Sequence, residues 1–144
     1  MTGPALRGAE RMFGRDGASR SLGMELEEVG PGRAVVTMTV RDDMVNGYGL
    51  LHGGLLATLC DTAFSVACNT YGEMTVAGGF DITILEAGHA GDRLRAHAAE
   101  RARRGRSGLY DVTVTREDGV VLAEFRGRSR SLGRPIDTPP TPAG

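Results

Sequence analysis

The chain has 144 residues, enough for one domain with one core, since a globule of this size buries roughly 70% of the surface its unfolded chain exposes. Seventeen Lys and Arg against 18 Asp and Glu leave a formal charge of -1, so no long-range field favours nucleic acid or an anionic membrane. An apolar share of 40% excludes a disordered chain, and the long low-charge stretch 53–72 is broken by Asp61, Asn69, a serine and three threonines, which excludes a membrane span. Met1-Thr2-Gly3-Pro4 opens without a basic or apolar leader and two cysteines make no disulfide framework, so a bacterial-type cytoplasm is the expected setting.

In chain order, Pro4 to Phe13 has a proline start and a helical rhythm in Leu6, Ala9 and Met12, and a loose turn is expected at Gly14 and Gly17. Met24 to Glu27 alternates, Gly30-Pro31-Gly32 turns the chain, and Ala34 to Val40 is rich in β-branched residues, which together predict a β-hairpin. Arg41 to His52 is a loop with Asn46, Gly47 and Gly49, residues suited to positive φ. Gly53 to Gly72 is apolar on nearly every side and predicts a buried helix of about twenty residues. Four strands follow, over 74–85, 92–104, 107–116 and 119–131, separated by turn signals that suggest an antiparallel meander. Along them Leu94, Ala96 and Ala98 share an apolar face with Tyr110, Val112 and Val114, while Arg95, His97, Arg101 and Arg103 share the opposite one.

One long helix and a single antiparallel sheet with one face to cover predict that the sheet wraps the helix, which is the α+β hotdog fold with five or six strands. A single domain is expected over 1–133, followed by a Pro-rich, frayed tail over 134–144.

Two features of the helix carry chemistry. Asp61 is the sole ionisable side chain between Gly53 and Gly72 apart from Cys60, Cys68 and Tyr71, and a carboxylate there is costly unless it is paired, reaches water through a slot, or acts as a nucleophile or general base. At the helix entrance, Asn46-Gly47-Tyr48-Gly49-Leu50-Leu51-His52-Gly53-Gly54 sets two glycines after a histidine, where free backbone amides and the positive end of the helix dipole suit an oxyanion. A plain turn with a surface histidine explains the same nine residues equally simply.

Taken together, the Asn-Gly-x-Gly-x-x-His-Gly-Gly entrance and the Asp61-Thr62-Ala63-Phe64 run resemble hotdog-fold acyl-CoA thioesterases of the phenylacetic acid degradation type, PaaI, with further similarity in Ala34 to Val40, Ala67-Cys68-Asn69 and Phe125 to Ser129. The resemblance implies hydrolysis of aryl or arylacetyl-CoA thioesters, with Asp61 as nucleophile or general base, the Gly53 amide as oxyanion hole, and Asn46 and His52 helping to seat the thioester. Gly54 and Thr62 are expected to line the substrate. Some related thioesterases also carry a serine on the strand after the helix; Ala77, Gly78 and Gly79 occupy that region here.

Gly53 and Asp61 are eight residues apart, about 12 Å along a helix, too far to meet one carbonyl carbon, so two chains with antiparallel helices are expected to share each site. A homodimer, paired into a tetramer, is the expected assembly. The phosphates of an acyl-CoA substrate need cations: Arg101 to Arg106, with Arg104 and Arg106 foremost, and Arg126, Arg128 and Arg130 are the candidates. Cys60 and Cys68 read as core residues, and no cofactor or metal set is expected. Two other readings are a hydroxyacyl thioester dehydratase, which would resemble a His-Phe-Pro-Gly entrance that is absent here, and a noncatalytic acyl-CoA sensor, for which a DNA-binding domain or a lost helix carboxylate would be expected.

Overall fold

A computed structural model describes residues 3–140. Helices α1 (Pro4–Gly14) and α2 (Gly17–Ser21) precede strands β1 (Glu25–Gly30) and β2 (Arg33–Thr39); helix α3 (Gly53–Cys68) follows a 3-10 turn at Asp42–Met44, and β3 (Glu73–Ile84), β4 (Arg93–Arg104), β5 (Ser107–Arg116) and β6 (Val121–Pro135) complete the chain. All strand pairs are antiparallel, in one six-stranded sheet of order β1-β2-β4-β5-β6-β3. Where a loose turn was expected, Asp16 starts α2 by accepting a hydrogen bond from the Ser19 amide.

The sheet wraps α3, which packs mainly on β2, β4 and β5. Small inward residues on β2 and β4 (Ala34, Ala96, Ala98) let the helix approach, and Leu56, Leu59, Cys60, Ala63, Phe64 and Ala67 fill the contact. Phe64 is the centre of this core, its ring 5.6 Å from that of Tyr110 and 5.8 Å from that of Phe125, over the bare Cα of Gly127. Burying such a ring contributes about 1.5–3 kcal/mol.

Five expectations need correction. The helix has 16 residues and ends at Cys68, because the Asn69 side chain folds back to bond the Ser65 carbonyl and both backbone groups of Thr75, turning the chain into β3. It is not buried all round: Gly54, Ala57, Thr58, Asp61 and Ser65, spaced three or four apart, form a partly exposed stripe. The meander holds only for β4-β5-β6. Strand β3 does not pair with β4; it lies at the far edge beside β6, while β2 takes the β4 edge, from Arg33 opposite Ala99 to Thr39 opposite Arg93. A tight hairpin needs a short turn, and the connection from Ile84 to Arg93 is long enough to cross instead. Arg103 leaves the outer face of Arg95 and Arg101 because a bulge between Glu100 and Ala102 reverses the alternation, so its guanidinium lies over the Tyr71 ring at 3.6 Å.

The fifth correction concerns the tail. Strand β6 runs to Pro135, the Ile136 amide donates to the Gly72 carbonyl, Ile136 is buried against Gly8, and Asp137 pairs with Arg11 at 2.8 Å. The frayed segment therefore does not begin at 134, and 141–144 lie outside the described residues.

Candidate active site

The loop before α3 is fixed by Asn46. Its Oδ1 accepts from the amides of Tyr48 at 2.9 Å and Leu50 at 3.1 Å, its backbone pairs with Leu50 and Gly49, and Gly49 takes φ +77°, which a residue with a Cβ adopts only under strain. The oxygen of Asn46 is thus committed to the loop, and its Nδ2 is the group left to meet a ligand. His52 caps α3 through its backbone: its carbonyl accepts from Leu55 and Leu56, its amide donates to the Met44 carbonyl, and its exposed imidazole makes no capping bond.

At the first helical positions Gly53 and Gly54 have amides with no acceptor among the described residues. A Cβ on Gly53 would lie 3.0 Å from Ile84 Cδ1, whereas nothing lies within 4 Å of one on Gly54. Two free donors at the positive end of a helix, with little side chain around them, can hold a developing oxyanion.

Two turns further on, Asp61 sits on the partly exposed stripe with its Oδ1 buried and without a hydrogen-bond partner. The satisfied ion pair allowed by the sequence is absent among the described residues. Desolvation, and after it the charge of Asp16, hold the Asp61 carboxyl above the usual carboxylate range. A carboxylate made more basic than usual, in a partly dry place and unengaged, can take a proton from water or attack a carbonyl.

The other expected site residues fall elsewhere. Thr62, expected to line substrate, is buried away from the stripe in the single chain, its hydroxyl 2.8 Å from that of Ser19. Residues adjacent on a helix point about 100° apart, and only the packing of α2 decides which of the two is covered. Arg104 and Arg106 lie by the β4-β5 turn at the opposite end of α3 from Gly53, and one chain does not bring them together with the helix entrance. There Arg106 packs over Gly133 and, with Arg103, Ser107, Cys68, Tyr71 and Tyr110, lines a cavity of about 70 Å³. Arg104 is exposed and donates to the Arg103 carbonyl. Arg126 and Arg128 are paired with Asp111 and Asp81 on the outer face.

Sequence reasoning missed two groups. Glu100 Oε1 accepts from the hydroxyls of Tyr71 at 3.0 Å and Tyr110 at 2.9 Å, two residues that line the cavity; the bulge that brings Arg103 beside it has no sequence mark. Asp16 was also missed, although the Asp-x-x-Ser spacing of a helix start was present in Asp16-Gly17-Ala18-Ser19.

A six-stranded antiparallel sheet around one helix, with an unpaired carboxylate on that helix and free amides at its start, defines a class, and comparison with known proteins agrees. The chain matches the thioesterase superfamily over residues 48–123 and belongs to that family. It is 39% identical over 136 residues to the acyl-coenzyme A thioesterase PaaI of Escherichia coli, covering 94% of this chain and 97% of that protein. The solved PaaI structure from the Escherichia coli phenylacetic acid degradation operon superposes with a TM-score of 0.89 over 91% of this chain and 95% of that one. A hypothetical thioesterase protein of Streptococcus pneumoniae solved with coenzyme A, 27% identical, gives a TM-score of 0.81 over 87% of this chain and 98% of that one. The human acyl-coenzyme A thioesterase 13 is 28% identical over 88% of this chain and 86% of its own.

Proposed function

We propose that this protein hydrolyses acyl-CoA thioesters, R-CO-S-CoA plus water giving the free acid and CoA, and that the acyl groups are aryl or arylacetyl, of the phenylacetyl or hydroxyphenylacetyl kind. The observation that carries the reaction is the unpartnered, partly dry Asp61 carboxylate on a helix whose first amides are free. Kinship with a thioesterase of a phenylacetic acid operon supports the acyl class.

In this reading Asp61 acts as general base or nucleophile. As base it takes the proton of a water whose oxygen forms the new bond to the carbonyl carbon; the C-S bond then breaks, and the thiolate leaves with that proton. The Gly53 amide, with that of Gly54 beside it, holds the carbonyl oxygen while it carries negative charge. Asn46 Nδ2 and His52 orient the thioester.

The two groups are eight residues apart on α3, about 12 Å, so the working site takes Asp61 from one chain and Gly53 from a second, with helices antiparallel. Supporting this, β3 is an edge strand with one open side, and Phe80, Ile84 and Leu85 are exposed on it and just after it, Phe80 and Ile84 on the face that carries α3, with Ile84 beside Gly53. An antiparallel pair also carries the Arg104 and Arg106 turn of one chain toward the Gly53 end of its partner, where the CoA phosphates need cations. The same edge supports a homodimer, assembled further into a tetramer.

Thiol release from a panel of aryl, arylacetyl and aliphatic CoA thioesters tests the reading. Turnover with arylacetyl substrates that exceeds the aliphatic set and is lost in Asp61→Asn is expected; equal rates across the panel would overturn the acyl class, and an active Asp61→Asn would overturn the mechanism.

A further inference from the structure

The short helix α2 makes a contact with α3 that neither folding of the sheet nor the reaction above calls for. The Ser19 hydroxyl lies 2.7 Å from Asp16 Oδ2 and 2.8 Å from Thr62 Oγ1, while the Ser19 amide donates to Asp16 Oδ1. An ionised carboxylate only accepts, so the Ser19 O-H donates to Asp16 and the Thr62 O-H donates to Ser19. The direction of the series is therefore fixed, ending on the charge of Asp16. Ser19 and Thr62 are 1% and 7% exposed, buried hydroxyls where an apolar pair would pack at no polar cost, and both Asp16 oxygens are engaged by Ser19 alone, with no cation paired to them among the described residues. Thr62 follows Asp61 directly on α3.

We infer that Asp16 is a positioning residue for Asp61: the series Asp16, Ser19, Thr62 fastens α2 to α3 one residue from the reacting carboxylate and holds a second negative charge, with no cation paired to it among the described residues, on the helix packed against α3. A like charge disfavours ionisation, so Asp61 holds a proton more strongly than burial alone requires, which makes it a stronger base at neutral pH. This is consistent with the upward shift at Asp61, for which the charge of Asp16 is the cause next after desolvation. On α3 itself the titratable neighbours are the thiols of Cys60 and Cys68, both pushed up to about 12 and so neutral through the working range. From the strands, Glu124 on β6 acts on the neighbouring Cys60, and for Asp61 itself the charge that raises it is that of Asp16.

The inference rests on the catalytic reading of Asp61, and two readouts separate them. Asp16→Asn preserves the helix cap and removes the charge; Asp16→Ser, also a good cap, is the second variant should the first fail to fold. The full-length protein is labelled with aspartate carrying carbon-13 at the carboxyl, the Asp61 signal is assigned by its loss in Asp61→Asn, and its titration is followed beside the pH profile of kcat/KM. The expected result is that the Asp61 titration and the acid limb of kcat/KM both move to lower pH in Asp16→Asn, and that the plateau of kcat falls while KM holds. An unmoved Asp61 titration in a folded variant overturns the role of Asp16 even where Asp61→Asn is inactive. A titration that moves while the acid limb stays overturns the catalytic reading of Asp61, and the positioning role with it.

Discussion

An aspartate with a buried, unpartnered oxygen weakens the fold that holds it, since an unsatisfied group of this kind costs about 1–3 kcal/mol. The sign with pH follows from linkage. The Asp61 carboxyl titrates above its ordinary value in the folded chain, so between the two values the folded state holds a proton that the unfolded state has lost, and stability falls as pH rises through that window. Asp61→Asn should therefore unfold at higher temperature than the parent at neutral pH, with the difference closing below pH 3.8, the ordinary value for the group. Activity should run the other way, rising with pH as the carboxylate forms, and the variant should lose kcat by a factor of about 10² or more with little change in KM. Melting curves and steady-state kinetics across pH check both. Asp61 stands out in the sequence because a lone carboxylate among apolar helix residues is costly to keep, whether it reaches water through a slot, is paired or reacts. The contact between Thr62 and Ser19, and the place of Asp16, were not legible for one reason: what each touches depends on how α2 lies on α3, and sequence spacing along either helix is silent about that.

At the level of elements, the long helix, the hairpin and five of the six strands' rough limits were readable because their periods differ and glycines punctuate them. The edge position of β3 was not, since the strands nearest in sequence are the natural first guess for pairing and nothing local records that β2 claims the β4 edge first. The bulge in β4 was equally hidden, and it is what turns Arg103 toward the cavity with Arg106. If that turn holds the CoA phosphates, Arg106→Ala should raise KM for a CoA thioester while leaving that for the matching pantetheine thioester unchanged; equal rises for both would remove the arginine from nucleotide recognition. The fit of α3 to β6 gives a separate prediction. A Cβ on Gly127 would stand 2.8 Å from the Phe64 ring, which Tyr110 and Phe125 prevent from moving aside. Gly127→Ala should thus destabilise the protein by about 1–3 kcal/mol, read from denaturant midpoints, without touching the site directly.

For the molecule as a whole, the wrapped-helix architecture could be argued from the count of layers, while the proposal that two chains share each site rests on the length of one helix. Gly53→Pro suits a first helical position, its Cβ meeting Ile84 Cδ1 at 3.0 Å, and removes an amide proton. Alone it should be inactive, as should Asp61→Asn. Refolded together at equal amounts, about half the dimers are mixed, each with one intact and one doubly damaged site, so activity should return to roughly a quarter of the parent per total protein. No recovery despite measured subunit exchange would mean that each chain builds its own site.

The two borders of the sheet are unlike, and that difference limits growth. Strand β1 ends the sheet with exposed Glu25, Glu27 and Glu28 and a bulge, while β3 ends it with open backbone and exposed apolar side chains. Charged side chains, Glu27 and Glu28 with their partners Arg95 and Arg33 among them, and the bulge guard the first border; the second invites a strand. In the dimer proposed above, a two-fold pairing along β3 would consume both inviting borders at once and leave only guarded ones outside, so a chain that bares a sticky strand would be protected from stacking into fibres.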